Sequence, residues 1–452
     1  MNIIPFVHEG LGNSSYLVGL SGGEALLVDP DRNVDRYLRA AEDHGWRVSA
    51  VLETHLHADF ISGTHELGAR REVEEARLFV PAGSDARFPH QPIQPGVSLS
   101  VGDALVEAVA SPGHTPEHLA YLLRMPQSPG VLFSGGSLIV GGAARTDLIA
   151  PHMTEALTRD QHRSVHHAFA ELPDETLLYP THGGGSFCST GSGGERTSTL
   201  GAERASNPVL AVRDEDEFAS WFPGTFPAAP SYFFTMRPIN QAGPTPTGRI
   251  AMPPRLSPSE FAARRGAGAL VVDVRPVEAY SAGHVPGSLS NPFRDAFAVW
   301  LGWLVDLDMP LLFVLGDVPL DRVVEEAWLV GFERFAGVLD GGIGAWTAAG
   351  QEVARTGFVG GEGAREAVAG GAVPVDIREP DEFADAHIDG AIHVPLGELE
   401  QRTGEIPSDR PLVVYCGHGE RASSAVSILE RAGHRTLINI DGGFDAWREA
   451  AG

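Results

Sequence analysis

The chain has 452 residues, which is too long for one hydrophobic core and predicts about three domains. A hydrophobic content of 43% and a charged content of 20% are those of an ordinary soluble globular protein. The net charge of −26, with arginine as every cationic side chain, argues against a nucleic-acid partner.

Three features bear on where the protein works. No run of about 18 apolar residues occurs, so we expect no membrane span and no membrane partner. The N-terminal residues lack a basic region followed by an apolar run, so we expect no secretory signal. The two cysteines, Cys188 and Cys416, are far apart in sequence, which is typical of reactive thiols in a reducing compartment. We therefore predict a cytoplasmic protein.

The first elements of the chain read as a hairpin, a helix and a strand. Strands are predicted at Ser15–Gly19 and Glu24–Asp29, around a glycine turn at residues 21–23. Asp31–His44 has the pattern of an amphipathic helix, and Asp29 is interpreted as a turn-forming residue. The short apolar strand Val48–Leu52 then leads directly into a histidine motif.

Three loops carry histidines just after apolar segments. His55, His57 and Asp59 follow the strand above at intervals of two residues, and such a triplet at a strand end can converge on one cation. His114 and His182 stand in later loops bounded by glycine and proline. We therefore predict a metal site built from these five residues.

This set of motifs, in this order, resembles the metallo-β-lactamase fold over about residues 1–240. The resemblance implies an αββα sandwich with its metal site at one edge of the sheets. Two positions depart from the family pattern. Phe60 stands where the first motif ends in a histidine, which argues against a two-zinc hydrolase. Gly136 stands where the family has a metal-binding aspartate, so the expected ligand set lacks its carboxylate.

Several alternatives remain open at this site. Asp59 can replace the missing carboxylate, with His57 or His182 completing the set, or Asp147 can approach; otherwise the site binds metal weakly or not at all. His118 either orients a ligand or has a core role. Cys188 either faces the metal pocket and holds a persulfide or is a buried loop thiol.

The two segments that follow are interpreted as loop and linker. Residues 185–207 are rich in glycine, serine and threonine, and we expect them to loop over the mouth of the site. Residues 236–256 carry five prolines and are predicted to form an extended linker.

The second half contains an internal repeat with an offset of about 101 to 103 residues. Asp273 and Arg275 of the first copy match Asp376 and Arg378 of the second. Each copy reads as a strand, a charged turn, a helix, a Gly-Gly turn and an aromatic helix, which predicts two small α/β domains with parallel sheets. We place these domains at residues 257–352 and 359–452, separated by the segment 357–363.

One loop distinguishes the two copies. Cys416 follows a buried strand and precedes a predicted helix at residues 422–432, where free amides and a helix N-terminus favour a thiolate and lower a cysteine pKa. The first copy has Leu315 at this position, which cannot act as a nucleophile. We predict Cys416 and Arg421 as catalytic residues, with a cradle formed by the intervening loop residues Gly417, His418, Gly419 and Glu420.

The repeat resembles tandem rhodanese domains, in which the loop cysteine carries a sulfane sulfur as a persulfide. The whole chain therefore resembles persulfide dioxygenase–sulfurtransferase fusions. The resemblance implies a mononuclear iron(II) held by His55, His114 and an aspartate, which uses O₂ to oxidise a thiol persulfide to sulfite. It also implies low-molecular-weight thiol persulfides, sulfite or thiosulfate as partners, with Arg421 holding an anionic donor.

Three functions follow in order of preference. The first is persulfide oxidation at a metal coupled to sulfur transfer through Cys416, with iron(II) as the expected metal and zinc as the alternative. The second is a sulfurtransferase whose N-terminal domain is a non-catalytic scaffold, which Gly136 favours. The third is a hydrolase of the glyoxalase II type, which Phe60 and Gly136 both weaken. The sequence leaves the oligomeric state open, a homo-oligomer included.

Overall fold

The computed structural model describes residues 2–126, 128–190 and 194–451. It divides into two compact units. The first comprises Met1–Ile250 with Ala327–Gly331, and the second comprises Ala251–Glu326 with Phe332–Gly452. Among the described residues, no helix is long and apolar enough to cross a membrane.

Two six-stranded sheets form the first unit. The strands of one sheet lie in chain order, β1 (Asn2–His8), β2 (Asn13–Gly19), β3 (Glu24–Val28), β4 (Arg47–Leu52), β5 (Arg77–Pro81) and β6 (Gln91–Ile93). The strands of the other lie in reverse order, from β12 (Ser198–Thr199) through β11 (Leu177–Pro180), β10 (Val131–Gly135), β9 (Leu119–Arg124) and β8 (Ala104–Ala110) to β7 (Ser98–Val101).

Alternating side chains place each sheet between two apolar layers. Tyr16 and Val18 of β2 pack into the core between the sheets, where they meet Phe133 of β10. Leu17 points to the opposite face and packs on Tyr37 of a helix. The helices of this unit are α1 (Asp35–Asp43), α2 (Thr64–Gly68), α3 (Thr154–Arg163), α4 (Leu200–Ser206), α5 (Pro208–Ala211), α6 (Glu215–Trp221) and α7 (Phe233–Ala242). The predicted αββα sandwich is confirmed.

The second unit contains two five-stranded sheets, and every strand pair in them is parallel, as predicted. The first copy comprises β13 (Arg255–Leu256), α8 (Pro258–Gly266), β14 (Leu270–Asp273), α9 (Val277–Ala282), β15 (Leu289–Ser290), α10 (Phe297–Leu304), β16 (Leu311–Val314), α11 (Leu320–Leu329), β17 (Phe335–Leu339) and α12 (Gly342–Ala348).

The second copy repeats this order of five strands and five helices. It comprises β18 (Gly357–Val359), α13 (Gly361–Ala369), β19 (Val373–Asp376), α14 (Pro380–Asp385), β20 (Ile392–His393), α15 (Leu399–Arg402), β21 (Leu412–Tyr415), α16 (Glu420–Arg431), β22 (Leu437–Ile440) and α17 (Gly443–Glu449). The matching charged residues form ion pairs in both copies, with Arg275 on Asp273 and Arg378 on Asp376.

Four local expectations were wrong. The segment at residues 357–363 does not separate the copies, because β18 pairs with β22 and α13 starts at Gly361. The predicted linker contains most of α7, which tolerates Pro238 in its interior. In the predicted loop at residues 185–207, α4 is helical and residues 191–193 lie outside the described residues. Finally, α1 begins at Asp35 because the side chain of Asp31 accepts the Asn33 N–H in a turn.

Candidate functional sites

The predicted histidines of the first unit converge at one end of the two sheets. His55 follows β4, His114 follows β8 and His182 follows β11, and all three side chains are almost fully buried. The ring centroid of His55 lies 4.7 Å from that of His114 and 5.3 Å from that of His182. The Nε2 atoms of His55 and His182 are 3.3 Å apart, which is close for two lone pairs unless a proton or a cation lies between them.

In His55 and His114, Nδ1 contacts another protein group, so Nε2 is the ring nitrogen that can bind a metal. His55 Nδ1 lies 2.9 Å from Thr54 Oγ1, and that hydroxyl donates its own hydrogen to Asp29. His114 Nδ1 donates to the Arg145 carbonyl at 2.6 Å, and its Nε2 is buried with no hydrogen-bond partner among the described residues. Such contacts to the outer nitrogen orient metal-binding histidines.

Burial keeps these imidazoles neutral. Desolvation, with repulsion from the neighbouring histidines, lowers the pKa of both His55 and His114 well below its ordinary value. Neutral imidazoles are the form that binds metals. Ring nitrogens of His55, His57 and His182 lie within 4.8 Å of one another, as the ligands of one metal ion would, and the buried Nε2 of His114 belongs to a ring packed against His55 and His182.

The expected carboxylate is not among these inward donors. Gly136 has no side chain, and a Cβ atom there would lie 2.6 Å from His114 Cδ2. Asp147 forms an ion pair with Arg145 at 2.7 Å. Asp59 Oδ2 lies 3.2 Å from His182 Nδ1, the nitrogen that faces away from His55. The cluster therefore fits a metal held by histidines better than one held by two histidines and a carboxylate.

Asp59 is well placed to orient His182. Burial disfavours its charge, but His182 and His57 outweigh that effect and lower the Asp59 pKa. Cys188 is fully buried beside this pair, with its sulfur within 4.8 Å of ligand atoms of both residues. Burial, followed by the Asp59 charge, raises the Cys188 pKa well above its ordinary value, so the resting thiol keeps its proton.

His57 belongs to a second buried cluster, which the sequence analysis did not find. Its Nε2 lies 3.2 Å from Glu53 Oε2 and 3.5 Å from Asp29 Oδ1. Burial lowers the His57 pKa, but the two carboxylates outweigh it and raise that pKa to about 10. Phe60 stacks on the His57 ring at 4.1 Å. Glu53 begins the histidine motif, four residues before His57, and this carboxylate is the sequence feature that could have predicted the contact.

Asp29 fulfils the predicted turn role and adds a second one. Its φ of +47° is the left-handed conformation of a turn residue. Its carboxylate accepts the Thr54 N–H at 2.6 Å and the Thr181 hydroxyl. It thus ties the loop that carries His55 to the loop that carries His182.

His118, in the loop after β8, accepts the Gly136 N–H at 2.9 Å, and burial lowers its pKa to about 3.

In the second unit, Cys416 lies at the turn between β21 and α16. Its sulfur accepts the Gly419 N–H at 3.0 Å, and Gly419 adopts φ = +116°, which aims that amide at the sulfur. The cysteine is only 1% exposed. Gly443 supports the loop from below, because a Cβ atom there would lie 2.3 Å from the Gly417 carbonyl oxygen.

The predicted anion-binding arginine has a partner of its own. Arg421 donates two hydrogen bonds to Glu382, each of 2.7 Å. His418 is exposed and lies 3.7 Å from Asp445 across the loop. Of the predicted cradle residues, Gly419 donates its N–H to the Cys416 sulfur, and the charge of Arg421 is already neutralised by a carboxylate.

Two family models match the two halves of the chain separately. Residues 8–182 match the metallo-beta-lactamase superfamily, and residues 257–349 and 363–450 match the rhodanese-like domain. Human persulfide dioxygenase ETHE1, a mitochondrial protein, is 29% identical over 204 residues, which are 45% of this chain and 73% of that protein.

Two further relatives widen the comparison. A hydroxyacylglutathione hydrolase of Synechococcus sp. (strain WH7803) is 32% identical over 167 residues, which are 36% of this chain and 61% of that protein. A crystal structure of a metallo-beta-lactamase from Staphylococcus aureus is 28% identical, with a TM-score of 0.66. It covers 75% of this chain and 98% of its own.

Proposed function

Because the chain joins a metallo-β-lactamase superfamily domain to two rhodanese domains, as persulfide dioxygenase–rhodanese fusions do, we propose that it is an enzyme of sulfur metabolism. Its central reaction is sulfur transfer through Cys416. The observation that carries this proposal is the position of the Cys416 sulfur, which receives the Gly419 N–H at the N-terminal end of a 12-residue helix.

The transfer proceeds in two displacements. The Cys416 thiolate attacks the outer sulfur of thiosulfate, the S–S bond of the donor breaks, and sulfite leaves with the electron pair. An acceptor thiolate then takes the sulfane sulfur from the enzyme persulfide and restores the Cys416 thiolate. Loop amides stabilise the anionic persulfide between the two steps. The near-complete burial of Cys416 favours small donors over proteins.

Replacing Cys416 by serine tests this reaction. We expect Cys416→Ser to abolish sulfur transfer from thiosulfate to a thiol acceptor, because a hydroxyl does not form the persulfide. The measurement is sulfite release by the purified full-length protein. The matched control is Cys188→Ser, which removes the other thiol and should leave the rate unchanged. Retained transfer in Cys416→Ser contradicts the proposal.

The first unit supplies a metal site for persulfide oxidation. We propose that His55, His114 and His182 hold the metal through their Nε2 atoms, with Asp59 orienting His182. Imidazoles suit both iron(II) and zinc, and bound iron(II) would supply the activation of O₂ for oxidation of a thiol persulfide to sulfite. The burial of these histidines keeps bulk water away from the site.

Metal content measures this half of the proposal directly. After anaerobic incubation with iron(II) and removal of excess metal, we expect one iron per chain in the wild type. His114→Ala should weaken iron binding by at least about 100-fold, because it removes a ligand and not merely an orienting contact. Oxygen uptake with glutathione persulfide is the accompanying activity assay.

The alternatives predict other outcomes of the same experiment. A protein without iron and without oxygen uptake favours the sulfurtransferase with a non-catalytic scaffold, for which Gly136 is the motivating observation. A zinc content near two per chain favours the hydrolase, for which the similarity to the hydroxyacylglutathione hydrolase is the motivating observation.

A further inference from the structure

The copy without a cysteine packs along the catalytic helix of the other copy. At the end of β15, the Ser290 N–H donates to Ser427 Oγ at 3.1 Å, and the Ser290 and Ser423 hydroxyls are 2.6 Å apart. Further along, His284 Nε2 lies 3.1 Å from Glu430 Oε2. Ser423, Ser427 and Glu430 follow the spacing of one face of α16. The first copy is therefore fixed against the helix that begins directly after the Cys416 loop.

This packing brings Arg294 into the surroundings of Cys416. Arg294 lies four residues beyond Ser290, and its charge interacts with Cys416, Glu420 and Arg421. Glu420 is the first residue of α16 and lies one turn before Ser423, on the face that the first copy covers. An arginine from the first copy thus contributes to the electrostatic field at the reactive sulfur of the second.

The guanidinium of Arg294 has no committed partner. Its Nε is buried, and the side chain has neither a hydrogen bond nor an ion pair within the described part of the chain. Arg421, in contrast, is held by Glu382 through two hydrogen bonds. Partial burial of an unpaired cation is unfavourable, and it lowers the Arg294 pKa although Glu420 and Cys416 oppose that shift. An anion bound beside Cys416 would remove this penalty.

We propose that Arg294 of the cysteine-less copy binds the oxyanion group of the sulfur donor or product, a sulfonate or sulfite, at the Cys416 site. This inference rests on the proposed transfer through Cys416 and adds a role for the first copy. During transfer, the S–S bond of thiosulfate breaks and its electron pair goes to the departing sulfite. The guanidinium binds the oxygens on which this charge accumulates.

Substitution of Arg294 by glutamine tests whether sulfur donors with and without an oxyanion group respond differently. We expect Arg294→Gln to lower kcat/KM for thiosulfate by about 10- to 100-fold, the effect of losing a charge-assisted hydrogen bond. The kcat/KM for a simple alkyl persulfide, which has no oxyanion group, should change little. Arg294→Lys should restore part of the thiosulfate rate. The matched control, Arg322→Gln, removes an exposed charge from the same copy and should leave both rates unchanged.

A binding measurement that needs no turnover completes the test. Sulfite should protect Cys416 of the wild type from alkylation by iodoacetamide, and Arg294→Gln should lose this protection, each rate being compared with the rate of the same variant without sulfite. Equal losses with both donors, or unchanged protection by sulfite, overturn the role of Arg294. Absence of transfer from every donor in the wild type instead overturns the proposed function, and sulfite protection still reports on Arg294 in that case.

Discussion

At the scale of single residues, the contacts at the outer Nδ1 atoms decide which nitrogen of each clustered histidine can bind a metal. Thr54 and the Arg145 carbonyl engage the Nδ1 atoms of His55 and His114, so each ring presents Nε2 inward. Thr54 directly precedes His55, whereas Arg145 lies 31 residues from His114, so no local pattern predicts the second contact. Residue identity thus predicted which side chains can bind a metal, and packing selected which nitrogen does so.

Two glycines at equivalent turns of the copies differ in one respect. Gly443 and Gly342 have φ of +60° and +58°, so a side chain at either position is strained. A Cβ atom at Gly443 would also lie within 2.5 Å of the Cys416 carbonyl oxygen, whereas a Cβ atom at Gly342 would meet nothing within 4 Å. The close approach therefore exists only where the loop carries the cysteine.

Comparing Gly443→Ala with Gly342→Ala separates the cost of backbone strain from the cost of a steric clash with the Cys416 loop. We expect Gly342→Ala to cost about 1–2 kcal/mol in the free energy of unfolding, the cost of a left-handed alanine. Gly443→Ala should cost at least about 1 kcal/mol more, because the Cys416 loop must move. Urea unfolding measures both values, and sulfite release should fall only in Gly443→Ala. Equal effects of the two substitutions would show that the loop does not depend on this contact.

At the scale of elements, the loops after the strands of the first unit hold neutral histidines in a buried site. Burial lowers the pKa of His118 to about 3 and those of His55 and His114 well below the usual range. The unfolded chain therefore binds protons below about pH 6.5 that the folded protein does not. His57, with a folded pKa of about 10, is charged in the folded protein throughout this range, so its own contribution rises slightly as the pH falls and offsets only a small part of the effect.

This difference predicts acid sensitivity of the metal-free protein. From about pH 6.5 to about pH 5.5, each of the three neutral histidines should lower the free energy of unfolding by about 1 kcal/mol. The measurement is urea unfolding in the presence of a chelator at both pH values. His118→Gln removes one titrating group, so the fall should shrink by about a third. An unchanged midpoint of unfolding would mean that these histidines are accessible to protons in the folded state.

Element boundaries show where local patterns were insufficient. The strand before Cys416 and the helix after it were predicted within two residues, because an apolar run and a glycine-bounded helix are local features. The glycine-rich start of the second copy was misread as a separator. Its short strand β18 exists because β22 offers a parallel edge, and a distant partner of this kind leaves no local pattern.

At the scale of the whole molecule, the two copies of the repeat share one fold but differ in the residue at the catalytic position of the loop. Both copies retain the buried Asp–Arg pair after the first central strand, at Asp273 and at Asp376. Only the second retains the cysteine. Since the first copy is anchored along α16, loss of its nucleophile does not remove it from the site that we propose.

The sequence by itself determined the class of each domain and showed the loop histidines, the loop cysteine Cys416 and the glycine at position 136, because strand ends, glycine turns and repeats are visible as patterns of residue types. Only the tertiary structure decided how these groups are partnered. It paired Asp147 with Arg145, Asp59 with His182 and Arg421 with Glu382, and it left Arg294 unpaired near Cys416. Such pairings depend on distances between residues remote in the chain, and those distances arise only when the elements pack.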